Sequence, residues 1–379
     1  MKLKAFLIFA FMLGTCLANP CTLGVATGEA TADGRPMLWK TRDYEVKPNV
    51  IFFTQTDKYN FISNITPDYG FNQSWFGLNE KGFAIANTFI AEFPEGTSGL
   101  GNGEFMHEAL RTCSSVNEFI ELMDSTNIAG RKTRAVFGVI DTTNAAMIFE
   151  VGGSQYRKFD AHDTTIAPDG YIIRTNFTVS KGGTRGIERF KRSSGLVNGF
   201  YKNGKLNVKS ILQSQMRDMA DAQGNPVSSG FLNCRTNICT PNSIAATVIQ
   251  GVKENEPGFL TTMWAMLGNP FASIAVPYWP VGKTPEISSS GSGRSLYAVS
   301  GKLKAMLFDS SGTGNVDVRK TLLIQDQIFK AEDQIYLNTN GLLKRWRQEF
   351  PTYREMLKSE KEFADYALKT LKKILTVKR

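Results

Sequence analysis

The sequence predicts an α+β fold, two packed β-sheets covered by helices, closed by a helical C-terminal extension. Three observations predict it. From residue 21 to about residue 279, short segments rich in β-branched and aromatic residues recur between glycine and Asp/Asn turns. Among them, residues 105–112, 116–123, 184–198 and 208–218 space their apolar side chains three to four apart, the period of a helix with one buried face. Beyond Asp317 the pattern is strongly helical.

In chain order, residues 1–18 place Lys2 and Lys4 before an apolar run from Ala5 to Leu13 and small residues through Ala18, the three regions of a secretory signal. The mature protein is expected outside the cytoplasm, secreted or periplasmic. Cleavage after Ala18 leaves Asn19-Pro20 as a short pro-segment ahead of Cys21. The stretch Leu13-Gly14-Thr15-Cys16 resembles a lipobox loosely, so a lipid anchor on Cys16 stands as the alternative.

Strands are expected over residues 22–26, 36–40, 49–54, 74–78, 83–88, 135–141, 145–151 and 171–175. The Ser/Gly-rich residues 283–295 cannot bury apolar surface and are read as a flexible loop. This divides the chain into a core over 21–282, the loop, a continuation of the core over 296–317 and the helical extension over 318–379. In that extension Tyr353, Met356, Leu357, Phe363, Ala367, Leu368, Leu371 and Leu375 fall largely on one face, which suits a helix docked on the core or a basic amphipathic segment at a membrane surface.

Composition narrows the function. The 42% hydrophobic and 21% charged residues are those of a globular protein, and no internal apolar run approaches the roughly 18 residues of a membrane span. The net charge of +9 suggests nucleic acid until it is located: 11 basic and 5 acidic residues lie between Gly341 and Arg379, two lysines lie in the leader, and the body between is nearly neutral. No nucleic-acid partner is therefore expected. With His107 and His162 as the only histidines, a Ser/His/Asp triad or a histidine-rich metal site has little to build on. His107 is read as structural. Cys234 and Cys239 could close a small disulfide loop, but two thiols do not fill a zinc site. No metal and, without a Gly-rich phosphate loop, no cofactor is expected.

What remains is Cys21. As residue one of a mature chain, its thiol sits beside its own α-amine, whose unperturbed pKa of roughly 7.7–8.0 leaves a large neutral fraction to take the thiol proton. Cys21-Thr22 opens a strand, a turn-rich Gly28-Glu29-Ala30-Thr31-Ala32-Asp33-Gly34 follows, and Met37-Leu38-Trp39-Lys40-Thr41-Arg42-Asp43 returns. This opening resembles the N-terminal nucleophile hydrolases of the linear amide carbon–nitrogen hydrolase group, the branch of penicillin V acylase, bile salt hydrolases and acyl-coenzyme A:isopenicillin N acyltransferase. There a Cys-Thr strand hairpins into a strand ending Arg-Asn-x-Asp; here Lys40 stands at the Arg position, with Arg42 beside it to fill that role. Trp75-Phe76-Gly77-Leu78-Asn79-Glu80-Lys81-Gly82 is similar to the group's Gly-x-Asn-Glu-x-Gly segment, Thr175-Asn176 to its Thr-Asn segment, and Thr184 to Arg192 to the helix start that carries an active-site Arg. Thr261-Thr262-Met263-Trp264 is similar to a segment of the acyltransferase branch.

The resemblance implies a four-layer αββα sandwich and a thiol enzyme that cleaves a linear amide of a small molecule through an acyl-enzyme, with water or an amine as acceptor. It implies that Asp43 holds the α-amine, that Lys40 or Arg42 favours the thiolate, that Asn87 or the backbone beside it and the Asn176 amide face the oxyanion, and that Arg189, better spaced than Arg185, is the active-site Arg. Asn79 is read as a turn residue. Asn64, Asn72 and Asn176 head Asn-x-Ser/Thr triplets, but a catalytic amide could not carry a glycan and work. A related dipeptidase activity, and a secreted or lipid-anchored binding protein, are the rival readings; assembly with further copies stays open.

Overall fold

The computed structural model describes residues 20–377. The leader, Cys16 and Asn19 lie outside the described residues. Ten strands fill the first half: β1 (Thr22–Ala26), β2 (Met37–Asp43), β3 (Val50–Thr54), β4 (Phe61–Ile65), β5 (Phe76–Asn79), β6 (Ala84–Phe89), β7 (Ala135–Ile140), β8 (Ala146–Val151), β9 (Tyr156–Asp160) and β10 (Tyr171–Arg174). The second half adds β11 (Phe231–Asn233), β12 (Ser243–Gln250), β13 (Thr262–Leu267), β14 (Val276–Tyr278) and β15 (Asn315–Asp317). The helices are α1 (Asn102–Thr112), α2 (Val116–Ala129), α3 (Ile187–Lys202), α4 (Glu286–Ser289), α5 (Leu296–Leu307), α6 (Val318–Trp346) and α7 (Tyr353–Val377).

One sheet runs β10-β1-β2-β12-β13-β14, the other runs β3 to β9 in chain order, and β11 pairs with β15 apart from both. All neighbours are antiparallel. The two large sheets stack, with β1 and β2 against β6 and β7. Val25, Leu38, Ile62, Val136 and Ile148 are all fully buried in the apolar layer between them. Gly138 permits the close approach there, since a Cβ would crowd Leu38 of the facing sheet. On the outer face of the seven-stranded sheet, α1 and α2 bury a cluster in which Phe119 meets Phe137 and Phe149 edge-on, 6.0 and 5.2 Å between ring centres. On the other side, α3 covers β1 and β10, and α5, α6 and α7 cover β13 and β14. The layers are helix, sheet, sheet, helix, the expected sandwich.

Each expected strand forms, displaced by a residue or two, and β2 runs on through Asp43. Five strands of the two sheets, β4, β9, β12, β13 and β14, lie outside the expected set. β12 and β13 are buried along their whole length, so their apolar residues do not alternate. Residues 208–218 form a π-helical turn over Ser210–Gln215 in place of the expected α-helix. The segment read as a flexible loop is instead packed: it contains α4, Thr284 Oγ1 donates to the Ile51 carbonyl at 2.8 Å, and buried Ser288 takes the Tyr278 hydroxyl at 2.7 Å.

The extension is docked. Met356, Phe363, Ala364, Ala367, Leu368, Leu371 and Ile374 are buried, although Tyr353 is not. Glu360 accepts the Trp279 backbone N–H at 2.7 Å, and burial holds its carboxyl well above the usual range. Arg217 and Glu332 form a fully buried ion pair at 2.6 Å that ties α6 to the Pro270 and Ser273 carbonyls. Among the described residues, no helix is long and apolar enough to cross a membrane.

Candidate active site

Four strand ends converge on Cys21. In the β1/β10 ladder Leu23 faces Arg174, which brings Asn176 level with Cys21 two residues further on. In the β1/β2 ladder Leu23 faces Lys40, so Arg42 and Asp43 reach the same end. On β12, Ser243 faces Asp43. From the second sheet the end of β6 brings Asn87, Thr88 and Phe89. Cys21, Lys40, Arg42, Asp43, Trp75 and Asn87 line one cavity of about 380 Å³, into which the first turn of α1 also opens.

The Cys21 backbone is held at both its nitrogen and its carbonyl. Its nitrogen donates to Asn176 Oδ1 at 2.7 Å. Arg189 Nη1 donates to its carbonyl and, at 3.3 Å, to Thr22 Oγ1. Arg189 Nη2 donates to Asn176 Oδ1 at 2.9 Å, which closes the ring. Gly186 caps α3 with φ of +78°, and a Cβ there would overlap Arg189 Nη2, so glycine is what lets the guanidinium lie flat under Cys21. The loop after β10 is pinned by buried Glu150, which accepts the Val179 N–H at 2.7 Å and pairs with Arg174 at 3.5 Å.

Two expectations change here. Asn176 does not turn its amide N–H to the cavity: Nδ2 donates to Thr88 Oγ1 at 2.8 Å and to the Phe89 carbonyl at 2.9 Å. Donors on the Oδ1 side and an acceptor carbonyl on the Nδ2 side fix that orientation. Nor do the Asp43 hydrogen bonds go to the Cys21 nitrogen. Oδ1 accepts from Ser243 Oγ at 2.6 Å and Oδ2 from Thr240 Oγ1. Burial raises its pKa to about 6, against the pull of those hydroxyls and of the Arg189 and Lys304 charges.

Lys40 and Arg42 are both buried and both beside Cys21, but they face different partners. Lys40 Nζ donates to Asn87 Oδ1 at 2.7 Å and to the Trp75 carbonyl at 2.8 Å; burial lowers its pKa to about 7, opposed by the thiol and Asp43. Arg42 donates to Asn49, to Asn64 Oδ1 at 3.1 Å and to Thr66 Oγ1 at 3.0 Å, and its guanidinium lies 4.6 Å from the Trp75 ring centre. Burial lowers it to about 9, with the Cys21 thiol the largest opposing influence. Burial also lowers Arg189, opposed first by Asp43 and then by Cys21.

Solved structures similar to this chain carry the names of amide-cleaving enzymes. Penicillin V acylase from Agrobacterium tumefaciens is 14% identical over 68% of this chain and 85% of its own, with a TM-score of 0.43. An N-acylethanolamine-hydrolyzing acid amidase ortholog from Caenorhabditis elegans is 12% identical over 60% and 92%, with a TM-score of 0.40. A mutant form of conjugated bile acid hydrolase from Clostridium perfringens is 13% identical over 65% and 89%, also at 0.40. No family model matches the chain, and no curated sequence does.

Elsewhere, Asn79 is the turn residue expected: buried, it donates to the Leu110 and Cys113 carbonyls and accepts from Lys81 and Phe83. Asn64 and Asn176 are fully buried, so neither can carry a glycan in this fold, whereas Asn72 is exposed. His107 meets Phe61 edge-on at 4.9 Å within the α1 layer, with its pKa lowered by burial. Thr262 accepts the Trp279 indole N–H and belongs to the core. Cys113, Cys234 and Cys239 are buried free thiols. Among the described residues, no cluster of three or more His, Cys, Asp or Glu could hold a metal ion. Thr240 and Ser243 escaped the sequence reading. The Thr240-Pro241-Asn242-Ser243 run signals a turn, but nothing in it points to a carboxylate 197 and 200 residues upstream.

Proposed function

We propose that this protein is a hydrolase of linear amides whose nucleophile is the thiol of Cys21, exposed as the first residue once the leader and Asn19-Pro20 are removed. The observation that carries the reading is the ring in which Asn176 and Arg189, bonded to each other, hold the Cys21 nitrogen and carbonyl beside a cavity lined by Lys40 and Asn87. When the chain starts at Cys21, its nitrogen becomes an amine with Asn176 Oδ1 accepting one proton. The neutral amine takes the thiol proton, and the sulfur attacks the amide carbon. The oxyanion meets the Asn87 amide, and a donor so placed is typically worth about 3 kcal/mol. The Cys21 ammonium returns the proton to the leaving amine, and a thioester remains for water, or another amine, to open.

The test is a panel of penicillin V, a glycine-conjugated bile acid, an N-acylethanolamine and a dipeptide, assayed with protein whose N-terminus is verified by mass. At least one acyl amide is expected to be cleaved, and Cys21→Ala to abolish turnover and iodoacetamide labelling at that position. Undiminished cleavage by Cys21→Ala, or full activity in a chain still beginning upstream, overturns the reading.

A further inference from the structure

We propose that Lys40 is a positioning residue: its ammonium holds the Asn87 side chain in the single orientation that offers Nδ2 to the carbonyl oxygen of a bound amide. The inference rests on Cys21 being the nucleophile. The resemblance implies oxyanion roles for two asparagines, Asn87 and Asn176, and the structure treats them oppositely. Both protons of Asn176 Nδ2 are spent on Thr88 and Phe89. Asn87 makes its hydrogen bond through Oδ1, and among the described residues its Nδ2 donates to none. Asn87 lines the cavity with Cys21, and its Nδ2 is a donor available to a ligand there.

What prevents Asn87 from turning over is the chemistry of its neighbour. The charged form of Lys40, held below its pKa of about 7, has three donors and no acceptor, so an inverted amide would set N–H against N–H. The Trp75 carbonyl at 2.8 Å and Asn87 Oδ1 at 2.7 Å fix the ammonium in turn. A charge-assisted bond to Oδ1 also polarises the amide and strengthens Nδ2 as a donor. No carboxylate hydrogen-bonds to Lys40 among the described residues, and Asp43, the adjacent acid, is committed to Ser243 and Thr240. A buried ammonium held only by neutral oxygens is costly as structure, which makes a task in the reaction the better account of it. This task differs from favouring the thiolate, because it acts on the oxygen of the tetrahedral intermediate rather than on sulfur.

The experiment is a double-mutant cycle of Lys40→Met and Asn87→Ala, with turnover of a fluorogenic N-acyl aminocoumarin resolved into kcat and KM. It is read beside iodoacetamide alkylation of Cys21, which forms an S–C bond, expels iodide and passes through no oxyanion. Lys40→Met is expected to lower kcat by about 10²-fold with KM little changed. Alkylation should slow far less, and the double variant should be no slower than Asn87→Ala alone. Losses that multiply in the double variant, or alkylation that slows in step with kcat, overturn the inference. If Lys40→Met does not fold, Lys40→Arg carries the test: a guanidinium also only donates, so kcat should stay within about tenfold of wild type, and a loss as large as that of Asn87→Ala overturns it. In each outcome, labelling at Cys21 with loss of turnover in Cys21→Ala leaves the nucleophile reading standing. Turnover that survives Cys21→Ala removes that reading instead.

Discussion

At Cys21, side chains named from the sequence and side chains invisible in it divide the work. Cys21, Lys40, Asn87, Asn176 and Arg189 meet within one hydrogen-bonded cluster or its cavity wall. Asp43 gives a prediction with a definite sign. Its folded pKa of about 6 lies above the ordinary value of 3.8, so the folded state holds the proton more tightly and the carboxylate costs stability as pH rises from about 4 through 6. Asp43→Asn removes that titration. The melting temperature of the variant relative to wild type is expected to rise between pH 4 and 6, and a constant difference across that range would refute the assignment. The family resemblance made the cluster legible, but not the direction of its hydrogen bonds. The Asn176 amide points away from the cavity and the Asp43 partners are hydroxyls 197 and 200 residues on, because both facts depend on which strands lie side by side.

At the scale of elements, β1, β2, β6 and β10 could be read because each has turn residues at its ends and β-branched or aromatic residues within. The central strand β12 could not: buried on both faces like β1 and β2 it shows no alternation, and its Ala245-Ala246 pair is a poor strand former. Two element junctions carry measurable strain or charge. Gly186→Ala forces a side chain into the left-handed region and against Arg189. A stability loss of about 1–3 kcal/mol and a fall in turnover are expected, by chemical denaturation and by assay. Glu332→Ala strands the Arg217 guanidinium in the core between α6 and the Pro270 turn. Losing one partner of a buried pair typically costs about 3–5 kcal/mol, so the urea midpoint should drop sharply; a drop under about 1 kcal/mol would contradict the clamp.

Over the whole molecule, the basic C-terminal helices are part of the fold. The buried face of α7 includes Met356, Phe363, Leu368, Leu371 and Ile374, and full burial of such side chains is worth about 1.5–3 kcal/mol each. Their sum rivals the roughly 5–15 kcal/mol by which a typical domain is stable. A chain ending at Arg347 should therefore lose its cooperative melting transition and expose β14 and the adjoining Trp279. Retention of a sharp transition near the full-length temperature would place α7 outside the cooperative unit.

Asp43 is clasped by Thr240 and Ser243, which the ribosome delivers some two hundred codons later. The surroundings of Cys21 are therefore assembled only when the second half of the chain has been made, since Asp43 has none of its hydroxyl partners before then.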